Sequence, residues 1–567
     1  MECQESIKTR RARGCRLLRA RFCWSPFLLV ILTIQAHAAP PTLTHLFPAG
    51  GQRGTKVVVT ATGSFTWPVS VWAPGLEVKP GKEAGKLEIS IPKDLAADRA
   101  WIRLYNADGA STSAPFLIGS LKEISETEPN DAPRTAQHVA EASCVVNGVL
   151  SKPGDVDGFS VRVNAGQTLV AAVDAHTRLG SPMDAILQVT SVDGDVLAEN
   201  NDSFGYDPRL AFTATKSGVY VVRIFAFPAD PGTAISFSGA PNYIYRLTLT
   251  TGPYITHAVP LAVSRTKPGE VEVRGWNISP GTRLPVRPLG GLKLAEYFES
   301  EAAPDLRIPA DAGLGLAFSP ALAGAARVRL TALAVVEPTT PANAKSPPSV
   351  LMDSTVTGWL RTPRQTDVYR LALKKGQHFV VSVESNHLHF PLDPVVKLLN
   401  PDGAVVADVD DTGTTRDLAF AHVATKDGDY RVVVQDRYRH GGPRHVYRLT
   451  VRRETPDFEL TTTSESIIVT AAKPVEIPIK VQRYGAVGPI VLRVVGLPDG
   501  VTAAPAVSEP TGPSAAAVTL KLTCKGKAFS GPVRLVGLAS QPKGLERRVR
   551  TAPRLNAAFE TIWLTSK

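Results

Sequence analysis

Two segments of the chain repeat each other, and this internal repeat constrains the fold more than any other feature. The copies are offset by 202 to 210 residues, so insertions fall between the shared motifs. Such self-similarity is typical of a duplicated structural unit, and we predict two modules of one fold. Six motifs recur in the same order, namely Asp157-Gly158 with Asp367-Val368, Pro182-Met183 with Pro391-Leu392, Asp193-Gly194 with Asp402-Gly403, Leu210-Ala211 with Leu418-Ala419, Thr215-Lys216 with Thr425-Lys426, and Tyr245-Arg246 with Tyr447-Arg448.

The apolar residues within each copy follow the period of a β-strand. Phe159, Val161 and Val163 alternate with polar residues, which places them on one face of a strand. The Asp-Gly pairs lie between such runs and are typical of hairpin turns. Neither copy contains a long amphipathic helix pattern. The predicted fold class is all-β, a tandem array of β-sandwich or jelly-roll modules of about 100 residues each.

The first 39 residues have the pattern of a secretory signal peptide. Seven basic residues precede an apolar stretch from Phe22 to Ile34, and Ala36-His37-Ala38 is a small-x-small cleavage signal. An uncleaved N-terminal anchor is the alternative interpretation. No later window is apolar enough to span a membrane, so we expect no transmembrane segment after cleavage. The predicted location is exported, which means periplasmic, cell-surface or extracellular.

Removal of this leader changes the charge balance. Residues 1–39 carry seven basic and two acidic side chains, so the net charge falls from +11 to +6. A charge of this size over more than 500 residues does not indicate a nucleic-acid partner.

The first copy resembles a known bacterial domain family. Its acidic segment Glu126-Thr127-Glu128-Pro129-Asn130-Asp131 is followed by Asn147-Gly148, then Asp155-Val156-Asp157, then Gly166-Gln167. These motifs are similar to those of the pre-peptidase C-terminal (PPC) domain, a β-sandwich found in secreted bacterial peptidases and related to the collagen-binding domains of collagenases. The second copy resembles it less closely, because it lacks the acidic segment and keeps only Asp367. The resemblance implies a noncatalytic binding or folding-support module.

The flanking regions also have strand-like patterns. The block that contains Thr55–Thr60 and Trp101–Tyr105 resembles a TIG/IPT-type immunoglobulin-like domain, and the C-terminal block has an Ig-like pattern. A proline-rich linker is predicted from Pro338 to Pro348. The predicted plan is a signal peptide at 1–39, a TIG/IPT-like module at 40–119, PPC-type modules at 120–252 and 346–453, a small β domain with the linker at 253–345, and an Ig-like module at 454–567.

The acidic segment of the first copy is the candidate site. Ca²⁺ takes six to eight oxygen ligands, which a flexible acidic segment folded against an Asp-containing turn supplies. The resemblance to collagenase-type relatives implies that Glu126, Glu128, Asn130, Asp131 and Asp157 are the calcium ligands, with Asp155 as a less secure member. The alternative is a solvated linker whose acids keep it soluble. Calcium is expected in the first copy only.

No catalytic motif is present. H-E-x-x-H, G-x-S-x-G, C-x-x-C and the P-loop pattern are all missing from the sequence. His387 and His389 have strand spacing and form at most the start of a metal site; a partly exposed strand is the simpler interpretation.

We therefore expect a secreted, noncatalytic, multi-domain protein that binds an extracellular polymer, the cell surface or a secreted protein. The alternatives are an accessory component of a secreted peptidase or hydrolase system, and a hydrolase with an unrecognised site.

Overall fold

The computed structural model describes residues 39–567 except 233–235, 290–312, 338–341, 413–414 and 556. The predicted signal peptide, apart from Ala39, and the first four residues of the predicted linker lie outside the described residues. Within them, strands account for nearly all regular structure, beside one short helix α1, His176–Leu179, and a 3₁₀ turn, Asn386–Leu388. The all-β prediction is confirmed. No helix among the described residues is long and apolar enough to cross a membrane.

The N-terminal module consists of two four-stranded sheets. They have the strand orders β1-β3-β6-β5 and β2-β9-β7-β4, in which β7 also pairs with β8. The strands are β1 His45–Phe47, β2 Gly50–Gln52, β3 Lys56–Thr62, β4 Ser70–Trp72, β5 Glu77–Pro80, β6 Lys86–Ser90, β7 Arg99–Asn106, β8 Gly109–Ala110 and β9 Ala114–Gly119. Apolar side chains of both sheets form its core.

The first repeat copy consists of two five-stranded sheets. Their strand orders are β10-β12-β19-β14-β17 and β11-β13-β18-β15-β16. The strands are β10 Lys122–Ser125, β11 Gln137–His138, β12 Ser143–Val149, β13 Asp157–Val163, β14 Thr168–Asp174, β15 Met183–Thr190, β16 Val196–Asn200, β17 Arg209–Thr213, β18 Gly218–Pro228 and β19 Ile244–Thr250. The alternating residues Phe159, Val161 and Val163 are completely buried in the core between the sheets.

The middle module consists of one seven-stranded sheet of order β21-β26-β24-β23-β22-β20-β25. Its strands are β20 Tyr254–Val259, β21 Ala262–Ser264, β22 Glu270–Trp276, β23 Arg283–Pro288, β24 Gly313–Ala317, β25 Ala323–Gly324 and β26 Ala326–Thr331.

The second repeat copy has the strand order of the first. Its sheets are β27-β28-β35-β30-β33 and β29-β34-β31-β32. The strands are β27 Ala334–Val336, β28 Ser354–Trp359, β29 Thr366–Leu373, β30 His378–Glu384, β31 Pro394–Leu399, β32 Val405–Val409, β33 Leu418–Val423, β34 Gly428–Asp436 and β35 Val446–Arg453. The place of β11 is taken by a single bridge between Ser349 and Arg370. The duplication inferred from the sequence is therefore present in the strand order.

The C-terminal module contains the remaining described strands, which form one ten-stranded sheet. They are β36 Asp457–Thr462, β37 Ser466–Val469, β38 Val475–Tyr484, β39 Ile490–Val495, β40 Val501–Ala503, β41 Ala506–Ser508, β42 Ala517–Cys524, β43 Phe529–Ala539, β44 Glu546–Thr551 and β45 Ile562–Ser566. The predicted module boundaries stay predictions, although β27 pairs with the second copy from a position before the predicted boundary at 346.

The first and last modules are in contact. Trp101 of β7 packs edge-on against Phe559, with ring centroids 5.2 Å apart. Trp563 of β45 packs against Trp72 and Tyr105. Aromatic contacts of this kind stabilise beyond the area that they bury. The modules follow one another along the chain, and these contacts bring its two described ends together.

Candidate functional site

The acidic segment follows β10 and lies against β12 and β13 of the first copy. β10 runs parallel to β12, and the backbone N–H of Glu126 continues this pairing by donating to the carbonyl of Asn147. From there the segment crosses to β13, where the N–H of Gly158 donates to the backbone and side-chain oxygens of Asn130. The segment is therefore attached at both ends to the strands of the sandwich.

Glu126 and Asp157 meet at a buried tyrosine. The Tyr245 hydroxyl lies 2.9 Å from Oε2 of Glu126 and 2.5 Å from Oδ2 of Asp157. The N–H of Val149 also donates to Glu126 Oε2, at 3.0 Å. A side chain at position 148 would collide with this group, because a Cβ there would lie 2.2 Å from the Tyr245 ring and hydroxyl. Gly148 thus lets the tyrosine pass across β12.

The environment of Glu126 and Asp157 favours a state in which one of the two carboxyl groups is protonated over a state in which both are ionised. Burial raises the pKa of Asp157, and the neighbouring Glu126 raises it further. Burial also raises the pKa of Glu126, against the effect of its hydrogen bonds. Two carboxylates at one buried, hydrogen-bonded site do not both ionise unless a cation neutralises them.

A second acidic group lies beside the first. Glu128, Asp131 and Asp155 each offer an oxygen, and these three oxygens lie within 4.8 Å of one another. Asp155 is completely buried, while Glu128 and Asp131 are exposed. Asp155 Oδ2 accepts hydrogen bonds from the backbone N–H and the hydroxyl of Ser151. Asp155 Oδ1 makes no hydrogen bond, and the Lys152 ammonium lies 3.6 Å from this oxygen. This group is the candidate metal site.

The structure divides the five predicted ligands. Glu128 and Asp131 join Asp155, which the sequence had ranked lowest. Glu126 and Asp157 belong to the tyrosine network, whose third member, Tyr245, was not predicted as a site residue. Asn130 has a different role, since its backbone N–H donates to Glu128 at 2.8 Å and its oxygens accept from Gly158. The sequence feature that could have identified Tyr245 is its recurrence as Tyr447 in the second copy.

The second copy carries a different version of this network. Tyr447 donates to Asp367 at 2.7 Å, and Gln365 donates to the other oxygen of Asp367 at 2.8 Å. Tyr369 takes the position that the carboxylate of Glu126 has in the first copy. Among the described residues, no acidic group like the one at Asp155 occurs in the second copy.

The predicted strand around His387 and His389 is wrong. The Asn386–Leu388 turn contains His387, and His389 follows it with a left-handed backbone, φ 66°. The carboxylate of Asp417 accepts the backbone N–H groups of Ser385, Asn386 and His387, which fixes this turn. Burial lowers the pKa of His387 to about 4.

Comparison with known proteins gives partial matches. No protein-family model matches the chain. Over 121 residues the chain is 31% identical to a probable subtilase-type serine protease of Deinococcus radiodurans, a match that covers 20% of this chain and 17% of that protein. The chain thus spans less than a fifth of the length of this relative.

Solved structures match with low overall scores. The pre-peptidase C-terminal domain of a Bacillus anthracis collagenase is 20% identical, and the match covers 18% of this chain and 92% of that domain with a TM-score of 0.15. The four N-terminal Ig domains of Dscam1 match 94% of this chain and 100% of that chain, at 8% identity and a TM-score of 0.18. A Bacteroides ovatus SGBP-B in complex with a mixed-linkage heptasaccharide matches 71% of this chain and 73% of its own, at 9% identity and a TM-score of 0.14. The TIG/IPT-like and Ig-like assignments stay predictions.

Proposed function

We propose that the chain is a secreted, noncatalytic binding protein of PPC-type and Ig-like modules, and that calcium orders the segment leading into its first repeat copy. The observation that carries the proposal is the group formed by Glu128, Asp131 and Asp155. Glu128 and Asp131 lie on the segment that follows β10, and Asp155 lies on the turn between β12 and β13. A cation there joins the exposed acidic segment to the buried turn at Asp155.

The donor chemistry of this group fits calcium. All three side chains offer carboxylate oxygens, which are the ligands that Ca²⁺ prefers. Asp155 Oδ1 is buried and makes no hydrogen bond, so it is available to a cation. Calcium would supply charge neutralisation and ordering at this site, and its remaining ligands would come from water or backbone carbonyls.

Among the described residues, the positive charge nearest to these three carboxylates is the Lys152 ammonium. It lies 3.6 Å from Asp155, and Asp155, Asp131 and Glu128 all raise the pKa of Lys152. Lys152 is exposed, so it is free to move aside when a divalent ion enters. Competition with this lysine favours the weak affinities of extracellular calcium modules, Kd about 10⁻⁴ to 10⁻³ M.

Co-sedimentation tests the binding function. The full chain is mixed with insoluble polymers, namely collagen, peptidoglycan, chitin and cellulose, with calcium or with a chelator. We expect retention on one polymer class and stronger retention with calcium. Asp155→Asn should remove only the calcium dependence, whereas the exposed control Asp202→Asn should keep it. Retention on none of the polymers, together with hydrolysis of one of them, would support an enzyme instead.

The second candidate is an accessory role in a secreted peptidase system. The 31% identity to part of a probable subtilase-type protease favours it. The test compares casein hydrolysis by a subtilisin-type peptidase with and without the chain, and by the chain alone. A change in rate or lifetime of the peptidase supports the accessory role, and activity of the chain alone supports an unrecognised hydrolase site.

A further inference from the structure

A cavity of about 90 Å³ lies where residues of all five modules meet. Its wall includes Asp98 of the N-terminal module, Arg178 and Arg209 of the first copy, Arg327 of the middle module and His389 of the second copy. From the C-terminal module, Leu555 lines the cavity. One water needs only about 10–15 Å³, so the space accommodates several waters or a small ligand.

Arginine side chains are prominent in the described wall of this cavity. Among its described lining residues are four arginines, at positions 99, 178, 209 and 327, and one acidic residue, Asp98. Both Arg178 and Arg327 bind Asp98 at 2.9 Å. Although burial opposes it, these two guanidinium groups hold the pKa of Asp98 well below its usual range. Asp174 also pairs with Arg178, at 3.4 Å.

Arg209 is the arginine best placed to receive a ligand. Its guanidinium stacks on the ring of Phe204, 4.0 Å from the centroid. Within the described part of the chain it forms no ion pair, and its Nε makes no hydrogen bond. Among the residues that the structure describes, the neighbouring Arg444 donates only to the backbone carbonyls of Ser203 and His389, at 2.7 and 2.8 Å. Burial and the nearby Arg209 lower the pKa of Arg444 to about 10.

His257 is another residue of the described wall with a side-chain nitrogen that lacks a hydrogen bond to a described residue. It lines the cavity, its side chain is 6% exposed, and its Nε2 makes no hydrogen bond to a described residue. Its Nδ1 lies 2.9 Å from the Thr256 hydroxyl. Burial, together with Arg444 and Arg274, lowers the pKa of His257 to about 4. Burial first, and the nearby guanidinium groups second, keep this histidine neutral.

We propose that this cavity is a binding site for a compact oxyanion, a phosphate or a carboxylate group, held by Arg209. The planar guanidinium fork matches the geometry of both groups, and ion pairing is strong in a partly buried site. Because every module contributes to the wall, a bound oxyanion stabilises the arrangement in which the five modules converge. This site is separate from the acidic group of the first copy.

The test is calorimetry and thermal melting of the full chain with sodium phosphate or sodium acetate, with sodium chloride holding the ionic strength constant. A ligand that binds only the folded chain raises the melting temperature with its concentration. We expect a saturable rise with an oxyanion and none with chloride, and the two arms show whether phosphate or carboxylate is preferred.

Two variants change the affinity in opposite directions. Arg209→Gln removes the donor and should weaken binding about tenfold, the loss of one charge-assisted contact. Asp98→Asn removes a carboxylate from the wall and should tighten binding, even though it lowers the melting temperature without the anion. The exposed Arg162→Gln should match the unmodified chain. No saturable response at about 10 mM of either oxyanion, or an equal response in Arg209→Gln, overturns the proposal.

Discussion

The hydroxyl of Tyr369 lies 2.9 Å from the hydroxyl of Tyr447. The residue equivalent to Tyr369 in the first copy is Phe159, and there Tyr245, the equivalent of Tyr447, is hydrogen-bonded to Glu126. One polar group therefore completes the tyrosine–aspartate pair in each copy, but it comes from a different part of the chain. This replacement removes the need for an acidic segment in the second copy.

Removal of the Tyr447 hydroxyl tests the network. Tyr447→Phe leaves Asp367 Oδ2 buried without its donor, and we expect a loss of about 1–3 kcal/mol in the free energy of unfolding. Tyr369→Phe is the matched control. It restores the residue of the first copy, keeps the bond from Tyr447 to Asp367, and should cost less. Urea denaturation measures both, and an equal loss in the two variants would contradict the assigned roles.

Asp207 and Asp417 predict a pH dependence of stability. They lie 210 residues apart, and each accepts three backbone N–H groups at the start of the turn after β14 or β30. Burial raises the pKa of each to about 7, from a usual value of 3.8. Between about pH 4 and pH 7 the folded chain therefore binds more protons than the unfolded chain. Their contribution to stability is largest below about pH 4 and falls as the pH rises to 7.

Asn variants make this pH dependence measurable. Asp417→Asn cannot titrate, so its loss of stability relative to the unmodified chain should be largest near pH 4 and should shrink toward pH 7. Asp207→Asn should behave in the same way because it occupies the equivalent position. Urea denaturation at several pH values provides the free energies. A difference that does not change with pH, or that grows with it, would show that the carboxylates are ionised throughout.

The contact between Trp101 and Phe559 predicts that the ends of the folded chain separate when it is lost. Phe559→Ala removes the ring that packs on Trp101 and should cost about 3–5 kcal/mol, the usual cost of truncating a buried Phe. We expect a larger radius of gyration by X-ray scattering and faster proteolysis near Arg99. Tyr438→Ala, at a side chain that is 64% exposed, is the control. An unchanged scattering profile for Phe559→Ala would contradict this contact.

The strand pattern of the repeat copies could be predicted from the sequence because their alternating apolar residues all face one core. Phe159, Val161 and Val163 are examples, and each is completely buried. The offset of 210 also gave the equivalence of Asp157 and Asp367. The turn at His387 was missed, because its shape depends on Asp417, thirty residues later, which accepts its backbone N–H groups.

Contacts between modules could not be predicted. Trp563 lies against Trp72, and nothing in the spacing of either residue distinguishes a contact between modules from one within a core. The site was predicted only in part for the same reason. The sequence placed Glu126 and Glu128 in one ligand set, but the fold turns one toward Tyr245 and the other toward Asp155, a division that depends on the path of the segment across β12 and β13.

Calcium calorimetry on the full chain tests most directly whether the duplicated modules differ by one ion site. We expect one Ca²⁺ per chain, bound with a Kd of about 10⁻⁴ to 10⁻³ M, and a melting temperature that rises as calcium is added. Asp155→Asn should abolish both effects, and Asp202→Asn should leave them intact. Two ions per chain, no binding at millimolar calcium, or full binding by Asp155→Asn would contradict the account.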